Sequence, residues 1–480
     1  MMKVLFSNSY FYNFDQKQSL FKKPYPPIAT IIAANSLRNN GYEVSLHDTS
    51  LSNSPLQIIQ TIVEFKPDVL VIYEDGFNYL TKMCLSKMRN AAFDLVKIGK
   101  DYNCKVIVSS SDSTDNYSDY LTQGADFVLI GEGDKTLIEL ISNLDTKKEI
   151  GHVNGIAYSD KFGKIIKTLN RDVLSDIDSI GYGWDLIDIP KYKSIWEKYH
   201  GYFSLNISTT RGCPFKCNWC AKPIYGNRYN VRSVINVVNE IEFLINKFNV
   251  KHFWMCDDIF GLKQNWVQEF RDEVLTRQLK FKFKIQSRAD LLMIEDSIDA
   301  LVASGLDEVW IGAESGSQKI LDSMEKGTTI EQINLSTKLL KLKKVKVCYF
   351  IQFGYLGETM IEINETINMI LKNMPHQIGI SVSYPLPGTK FYQIVKDQMN
   401  EKTNWNDSND LTMMYEGSFN TNFYVQLYKY VHSIYRYKYG IQSLKLFYRN
   451  ISIENLKYVL SGFYFLPKSI YEKYKLNRLI

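Results

Sequence analysis

The sequence predicts an α/β protein in three parts: a doubly wound parallel sheet over residues 1–150, a partial (β/α)6 barrel over 201–395, and a helical, basic, Tyr-rich region over 396–480. Two separate alternations of short apolar runs with amphipathic stretches predict the first two parts. Helical spacing of apolar residues after Phe423 predicts the third. Residues 151–200 join the two cores as a hairpin and linker.

In the first part, Val4–Phe6, Val44–Leu46, Val69–Tyr73, Val106–Ser109 and Phe127–Ile130 are rich in Val, Ile and Leu without polar alternation. Strands buried on both faces of a parallel sheet have this composition. Amphipathic stretches such as Leu56–Val63 lie between them, the pattern of a Rossmann-like domain. Residues 154–168 read as a hairpin around Asp160-Lys161-Phe162-Gly163. Residues 170–200 have little period and contain Gly181, Gly183 and Pro190, so they read as a linker. Six further strands follow: Leu205–Thr209, His252–Cys256, Phe281–Ser287, Glu308–Gly312, Val345–Phe350 and Ile378–Ser383. Six such units form a curved barrel wall whose functional residues belong at the C-terminal strand ends. In the last part, Phe423, Leu427, Val431 and Ile434 share one helix face, with Tyr428, Tyr430, Tyr435 and Tyr437 around it. The simple reading is a helix capping the barrel with a solvated lysine face, and His432 a surface or core residue rather than a ligand. The alternative is a basic aromatic surface for peripheral contact with an anionic lipid or a phosphorylated substrate.

Composition narrows the classes. Hydrophobic content of 45% and charged content of 23% are those of an ordinary folded protein. No apolar run reaches the roughly eighteen residues of a transmembrane segment, and the start lacks a signal-peptide core, so a cytoplasmic location is expected. The net charge of +5 is uneven: Lys429–Ile480 holds ten Lys and Arg against two Glu, leaving about −3 for everything before it. That is too little positive charge for a general nucleic-acid binder.

Seven cysteines are too few for a disulfide framework in 480 residues. Cys84, Cys104, Cys256 and Cys348 are isolated and read as small buried apolar groups. The other three sit within Arg211-Gly212-Cys213-Pro214-Phe215-Lys216-Cys217-Asn218-Trp219-Cys220, directly after the first strand of the second alternation. Three thiolates at this spacing can wrap one iron–sulfur cluster. With three ligands for four irons, one iron stays open to a small molecule. A structural zinc site, the alternative, takes four closed ligands, and the closest candidates, His200 and His252, lie more than ten residues away.

Cys213-x-x-x-Cys217-x-aromatic-Cys220 at the end of a first barrel strand resembles the signature of the radical S-adenosylmethionine superfamily. The resemblance continues through Cys256-Asp257-Asp258-Ile259-Phe260, Gln286-Ser287-Arg288-Ala289-Asp290 and Gly312-Ala313-Glu314-Ser315-Gly316-Ser317, with Met324, Lys326, Gly327, Thr328 and Thr329 beyond it. It reaches Gly354-Tyr355-Leu356-Gly357-Glu358-Thr359 and Tyr384-Pro385-Leu386-Pro387-Gly388-Thr389. It implies a 4Fe–4S cluster on Cys213, Cys217 and Cys220, with S-adenosylmethionine on the open iron. In that family the reduced cluster splits the sulfonium and yields a 5′-deoxyadenosyl radical. Trp219, Asp258, Arg288, Glu314 and Ser315 are the implied S-adenosylmethionine contacts. Arg288 suits a carboxylate by forked hydrogen bonding, and Glu314 suits ribose hydroxyls or the ammonium group. No catalytic residue is assigned beyond the cluster.

Tyr25-Pro26-Pro27, the segment Gly124–Asp134 and Trp184–Asp188 resemble the cobalamin-binding branch of the superfamily, which includes radical methyltransferases and the anaerobic magnesium-protoporphyrin cyclase type. This implies cobalamin at Ser109, Ser110, Ser111, Gly131, Glu132 and Gly133. The Asp-x-His-x-x-Gly corrinoid loop is absent, since His47 is followed by Asp48-Thr49-Ser50, so the lower face of cobalamin would lack a histidine. A retained domain that binds nothing, or binds substrate, is the alternative. The implied reaction is methyl transfer to an unactivated carbon of a small-molecule substrate, with a flavodoxin or ferredoxin as reductant. Radical oxidation, cyclisation or rearrangement without methyl transfer is the second reading. A non-catalytic iron–sulfur carrier or sensor is the third.

Overall fold

The computed structural model describes residues 2–77, 85–263, 265–399, 401–447 and 453–480. Cys84 lies outside the described residues. The first sheet holds β1 (Lys3–Ser7), β2 (Glu43–His47), β3 (Val69–Tyr73), β4 (Lys105–Ser109), β5 (Phe127–Leu129), β6 (Ile156–Ser159) and β7 (Ile165–Lys167) in the order β2-β1-β3-β4-β5-β6-β7. β1 to β5 are parallel; the apolar runs of β1, β3, β4 and β5 are buried because helices cover both faces, while β2 at the edge is only half-buried. The 2-1-3-4-5 order reverses between β1 and β3, and a crevice opens there at the carboxyl ends of the strands. β6 and β7 are the expected hairpin, added antiparallel to β5.

The second sheet holds β8 (Ser204–Ile207), β11 (His252–Met255), β12 (Lys282–Ser287), β13 (Leu306–Glu314), β14 (Lys346–Phe353) and β15 (Gln377–Val382), all parallel and in sequence order. Between β8 and β11 lies a small antiparallel ribbon of β9 (Thr210–Arg211) and β10 (Asn230–Val231). The arc does not close between β8 and β15, so this is a partial barrel. β13 and β14 run two or three residues further than their apolar runs predict. Both extend at the C-terminal rim, where Glu314 and Phe353 end them.

The segment expected as a linker differs. Residues 170–183 are irregular, but Ile189–His200 is a helix. Pro190 stands in its first turn, where a missing N–H costs nothing. Its buried face is only Ile189, Tyr192 and Trp196, too sparse to register as a period. Those residues act as fasteners: Trp196 Nε1 donates to Pro24 O at 2.8 Å and Tyr192 OH to Asp48 Oδ2 at 2.6 Å. Tyr25 then packs at a tilt against Trp254 and bonds Ser204 Oγ, while Asn206 Nδ2 donates to Pro26 O at 3.0 Å. The Tyr25-Pro26-Pro27 segment is thereby fixed across the start of the barrel.

The last part is less helical than its composition suggests. Residues 401–420 contain no helix and cross back to the first domain, where Ser408 Oγ donates to Asp15 Oδ1 at 2.7 Å and Lys87 pairs with Asp407. Two long helices, Thr421–Phe447 and Ile453–Asn477, then form an antiparallel pair. Phe423, Leu427 and Val431 bury the first against the barrel, and Tyr435 OH donates to Pro375 O at 2.7 Å. The two helices meet backbone to backbone at Gly440 and Gly462, where a Cβ on Gly440 would lie 2.5 Å from Gly462 Cα. Among the described residues no helix is long and apolar enough to cross a membrane.

Gly440→Val should therefore force the pair apart at a cost of about 1–3 kcal/mol. Limited proteolysis should cut within 421–477 sooner than in the wild type, while the barrel fragment persists. Unchanged cleavage kinetics would show that the glycines do not set the contact.

Candidate active site

The cysteine loop leaves β9 through Gly212, whose φ of +80° and closeness to the Arg228 carbonyl exclude any side chain. From there the loop is held on several sides. Asn218, buried between Cys217 and Cys220, uses each polar atom: its N–H donates to Met324 O at 3.0 Å and Nδ2 to Ser323 O at 2.7 Å. Its Oδ1 accepts from Tyr355 OH at 2.7 Å, and its carbonyl accepts from Phe391 N at 2.9 Å. The segments after β13, β14 and β15 thus converge on one side chain. Lys222 Nζ closes the loop on Phe215 O at 2.7 Å. Cys213, Cys217 and Cys220 remain half-buried thiols.

Arg211, the residue before Gly212, sits fully inside. Its guanidinium bonds Glu132, and Asp134 Oδ2 at 3.0 Å, both from the turn after β5, and lies over the Tyr225 ring. All three charged side chains are less than one-tenth exposed. This is the main ionic link between the two domains at the site. Asp257, after β11, plays a similar part within the barrel: it accepts from Thr209 N at 2.6 Å and Thr210 N at 2.9 Å. Burial raises its carboxyl to about 6.

A cavity of about 1150 Å³ runs from this loop down through the barrel and out to the C-terminal helices. Cys220, Trp219, Asp258 and Glu314 line its upper end, with Asp75 and Tyr10 from the first domain. Trp254, Gln286, Trp310 and Gln352 point in from the strands, and Lys284 lies between the Tyr25 and Trp254 rings. Burial lowers the Lys284 amine from its usual value. The space exceeds that of a typical single-ligand pocket. Two buried polar groups on its wall have no hydrogen-bond partner among the described residues: both amide atoms of Gln352, and Trp219 Nε1. Such groups cost free energy when left unpaired and so mark places for a ligand to bond.

The residues expected at S-adenosylmethionine divide into two sets. Trp219, Asp258 and Glu314 face the cavity. Glu314 already pairs with Lys326 Nζ at 2.9 Å, both buried, and Gly312 leaves the room for that pair. Arg288 instead stands beneath the loop, 3.7 Å from the Phe215 ring centre, bonded to Asp290 and to Lys326 O at 2.7 Å, with Cys217 Sγ at 3.9 Å. Ser315 is buried against Thr366 Oγ1 at 3.1 Å and caps Ser317 N, so it shapes the turn rather than the cavity wall. Sequence reasoning gave no role to Asn218, Lys326 or Gln352. Asn218 had a signal, as a polar residue between two cysteines, and Lys326 lies in the stretch Met324–Thr329 that continues the family resemblance; Gln352 had none.

In the first domain, Ser109, Ser110, Ser111, Gly131, Glu132 and Gly133 gather at the carboxyl ends of β4 and β5. Ser110 is spent capping the next turn, and Glu132 is spent on Arg211 and Leu174 N. Ser111 Oγ is buried without a partner among the described residues. Gly131 approaches the Ile224 and Pro223 carbonyls, and Gly133 fits against Ser109 Oγ and Tyr73. His47 ends β2, its Nδ1 2.8 Å from Thr61 Oγ1 and its Nε2 buried without a partner among the described residues.

Residues 207–370 match the model of the radical SAM superfamily. Over 413 residues the chain is 26% identical to the anaerobic magnesium-protoporphyrin IX monomethyl ester cyclase of Rubrivivax gelatinosus, covering 83% of this chain and 71% of that one. It is 25% identical to an uncharacterized methyltransferase of Pyrococcus horikoshii, covering 77% and 78%. Its fold is that of the cobalamin-dependent S-adenosylmethionine radical enzyme OxsB, solved with aqua-cobalamin and S-adenosylmethionine bound, at a TM-score of 0.71 and 18% identity over 96% of this chain and 72% of that one. The radical methyltransferase TsrM from Kitasatospora setae, with cobalamin and a [4Fe-4S] cluster, superposes with a TM-score of 0.69 at 17% identity over 83% and 75%.

Two outcomes follow from this geometry. Arg211→Met should cost about 3–5 kcal/mol, because it leaves Glu132 and Asp134 buried without their cation. Chemical denaturation would read it, and a loss below about 1 kcal/mol would mean the domains are held elsewhere. Glu358, buried beside Gly354 N, has its carboxyl raised to about 8. Its neutral form supplies stability that is complete below the unfolded carboxyl value and lost as pH rises through about 8. Glu358→Gln should flatten stability against pH across that window, and an unaltered slope would contradict a neutral Glu358.

Proposed function

The chain is a radical SAM superfamily enzyme, with its domain of that family across residues 207–370, and we propose that its reaction is cobalamin-dependent methyl transfer to an unactivated carbon of a small-molecule substrate. The observation that carries this reading is a cavity that joins Cys220 and Asp258 of the barrel to Asp75 and Tyr10 of the first domain.

The thiols fit a 4Fe–4S cluster: Cys213, Cys217 and Cys220 share one loop whose backbone is pinned by Asn218 and Gly212. Among the described residues no three ligating side chains converge as around one metal ion, and a four-iron cluster takes each thiolate on a different iron. Arg288 near Cys217 offsets negative charge that would build up on the cluster. Cobalamin would meet the carboxyl ends of β4 and β5 at Ser111 Oγ, buried without a partner among the described residues, while Gly131 and Gly133 are packed against the chain's own atoms. In this reading the lower face of cobalamin is free of histidine, with His47 Nδ1 held at Thr61 Oγ1. When bound, these groups supply one-electron cleavage of S-adenosylmethionine, hydrogen abstraction and the methyl group.

The chain's own residues position and exclude. Trp219 covers the loop beside Cys220, and its Nε1–H is available to a bound acceptor. The Glu314–Lys326 pair offers a buried carboxylate to a cationic or hydroxyl donor, and Gln352 offers both a donor and an acceptor. Aromatic walls at Trp254, Trp310 and Phe350 keep water from a reactive radical. A reduced flavodoxin or ferredoxin is the electron source in this reading. Radical oxidation or cyclisation without methyl transfer remains the second reading, favoured by the cyclase relative.

Cys213→Ala, Cys217→Ala and Cys220→Ala should each lose iron, sulfide and S-adenosylmethionine cleavage after anaerobic reconstitution. Cys104→Ala, Cys256→Ala and Cys348→Ala, all buried elsewhere, should keep wild-type iron. Products separate the two readings: S-adenosylhomocysteine with a methylated product supports methyl transfer, and 5′-deoxyadenosine alone overturns it.

A further inference from the structure

The helix Ile453–Asn477 has two unlike faces. One carries Val459, Gly462, Ser469, Glu472 and Leu476, all buried, and Glu472 there accepts from Gln426 Nε2 at 2.6 Å. On the other side Leu456, Leu460, Phe463, Pro467, Ile470 and Tyr474 recur at alternating steps of four and three residues, which places them in one row along the helix. Leu460 is 60% exposed, Phe463 64%, Ile470 65% and Tyr474 61%, and Tyr464 and Tyr471 broaden the row. A contiguous apolar strip of this length on a folded chain marks a surface that meets another phase or molecule.

Charge identifies which. Lys457, Lys468 and Lys475, eleven and seven residues apart, fall in a second row beside the apolar one, and Lys473 and Arg478 add to the same end. Lys429–Ile480 holds ten Lys and Arg against two Glu, whereas the rest of the chain is slightly negative. Two copies placed face to face through this strip would bring these cations together. An anionic surface would neutralise them. No described helix is apolar enough to span a bilayer, so the geometry is that of a helix lying in the interface plane.

We propose that the exposed face of Ile453–Asn477 docks the enzyme on a membrane carrying anionic lipid. Phe463, Ile470 and Tyr474 enter the headgroup boundary, and the lysine row meets lipid phosphates. The same helix supplies Ser461, Phe465 and Lys468 to the cavity wall, so docking sets the cavity beside the lipid–water boundary.

The test is sedimentation of the full chain with vesicles of phosphatidylcholine alone, or of phosphatidylcholine and phosphatidylglycerol in about a three-to-one ratio. The wild type should partition onto the anionic vesicles about tenfold or more better than onto neutral ones, and less well as salt rises. Phe463→Glu with Ile470→Glu should abolish that partitioning. Both residues are exposed and neither lines the cavity, so thermal unfolding and S-adenosylmethionine cleavage should stay at wild-type values. The proposal is overturned if the wild type ignores anionic vesicles, if the double variant binds as well, or if neutral vesicles bind equally. A concentration-dependent dimer removed by the same double variant would assign the face to a second copy and overturn it too.

Discussion

Arg211 is the residue on which the arrangement of the two domains at the site depends. It immediately precedes Gly212 and the cysteines, yet its guanidinium is buried against Glu132 and Asp134 of the first domain. A buried cation needs its full set of partners, because desolvation would otherwise cost several kcal/mol. The position of the thiol loop is therefore tied to the turn after β5, and the carboxyl ends of both sheets face one shared space. Asn218 completes the restraint from the other side, where the segments after β13, β14 and β15 end on its four hydrogen bonds.

What the loop faces is a cavity whose polar groups fall into two classes. Some are already spent, as Arg288 is on Asp290 and the Lys326 carbonyl. Others are buried and unspent, as Gln352 and Trp219 Nε1 are among the described residues. The first class gives rigidity beneath the site and the second leaves bonding capacity for bound molecules. Lys326 belongs between them: it neutralises Glu314 while leaving that carboxylate on the cavity wall.

The C-terminal helix pair extends the same space outward. Its inner face closes the side of the barrel through Phe423, Leu427 and Tyr435, and its tight glycine contact holds the second helix close against the first, antiparallel to it. That geometry leaves the outer face of the second helix uncovered by any of the described residues. The irregular segment 401–420 returns to Asp15 and Lys87, so the pair is anchored to both domains.

The sequence by itself determined the strands and the cysteine loop. Val69–Tyr73 and Phe281–Ser287 were legible because strands covered on both faces must be apolar throughout, and the three thiols because their spacing is chemistry that packing does not require. Tertiary structure decided the rest. Ile189–His200 hid as a helix because three fastening residues make a weak period, and Pro190 resembles a breaker until its place in the first turn is known. Arg288 and Ser315 fall on motif positions, yet which way each points depends on partners the motif does not show: the Lys326 carbonyl for Arg288, and Thr366 on the helix Met360–Asn373 for Ser315. Gln352 carried no local mark, and Lys326 stood in a matched stretch without an assigned role. A buried ion pair and an unspent amide exist only once distant strands have placed them, since period and spacing report which face a residue occupies and not what it meets there.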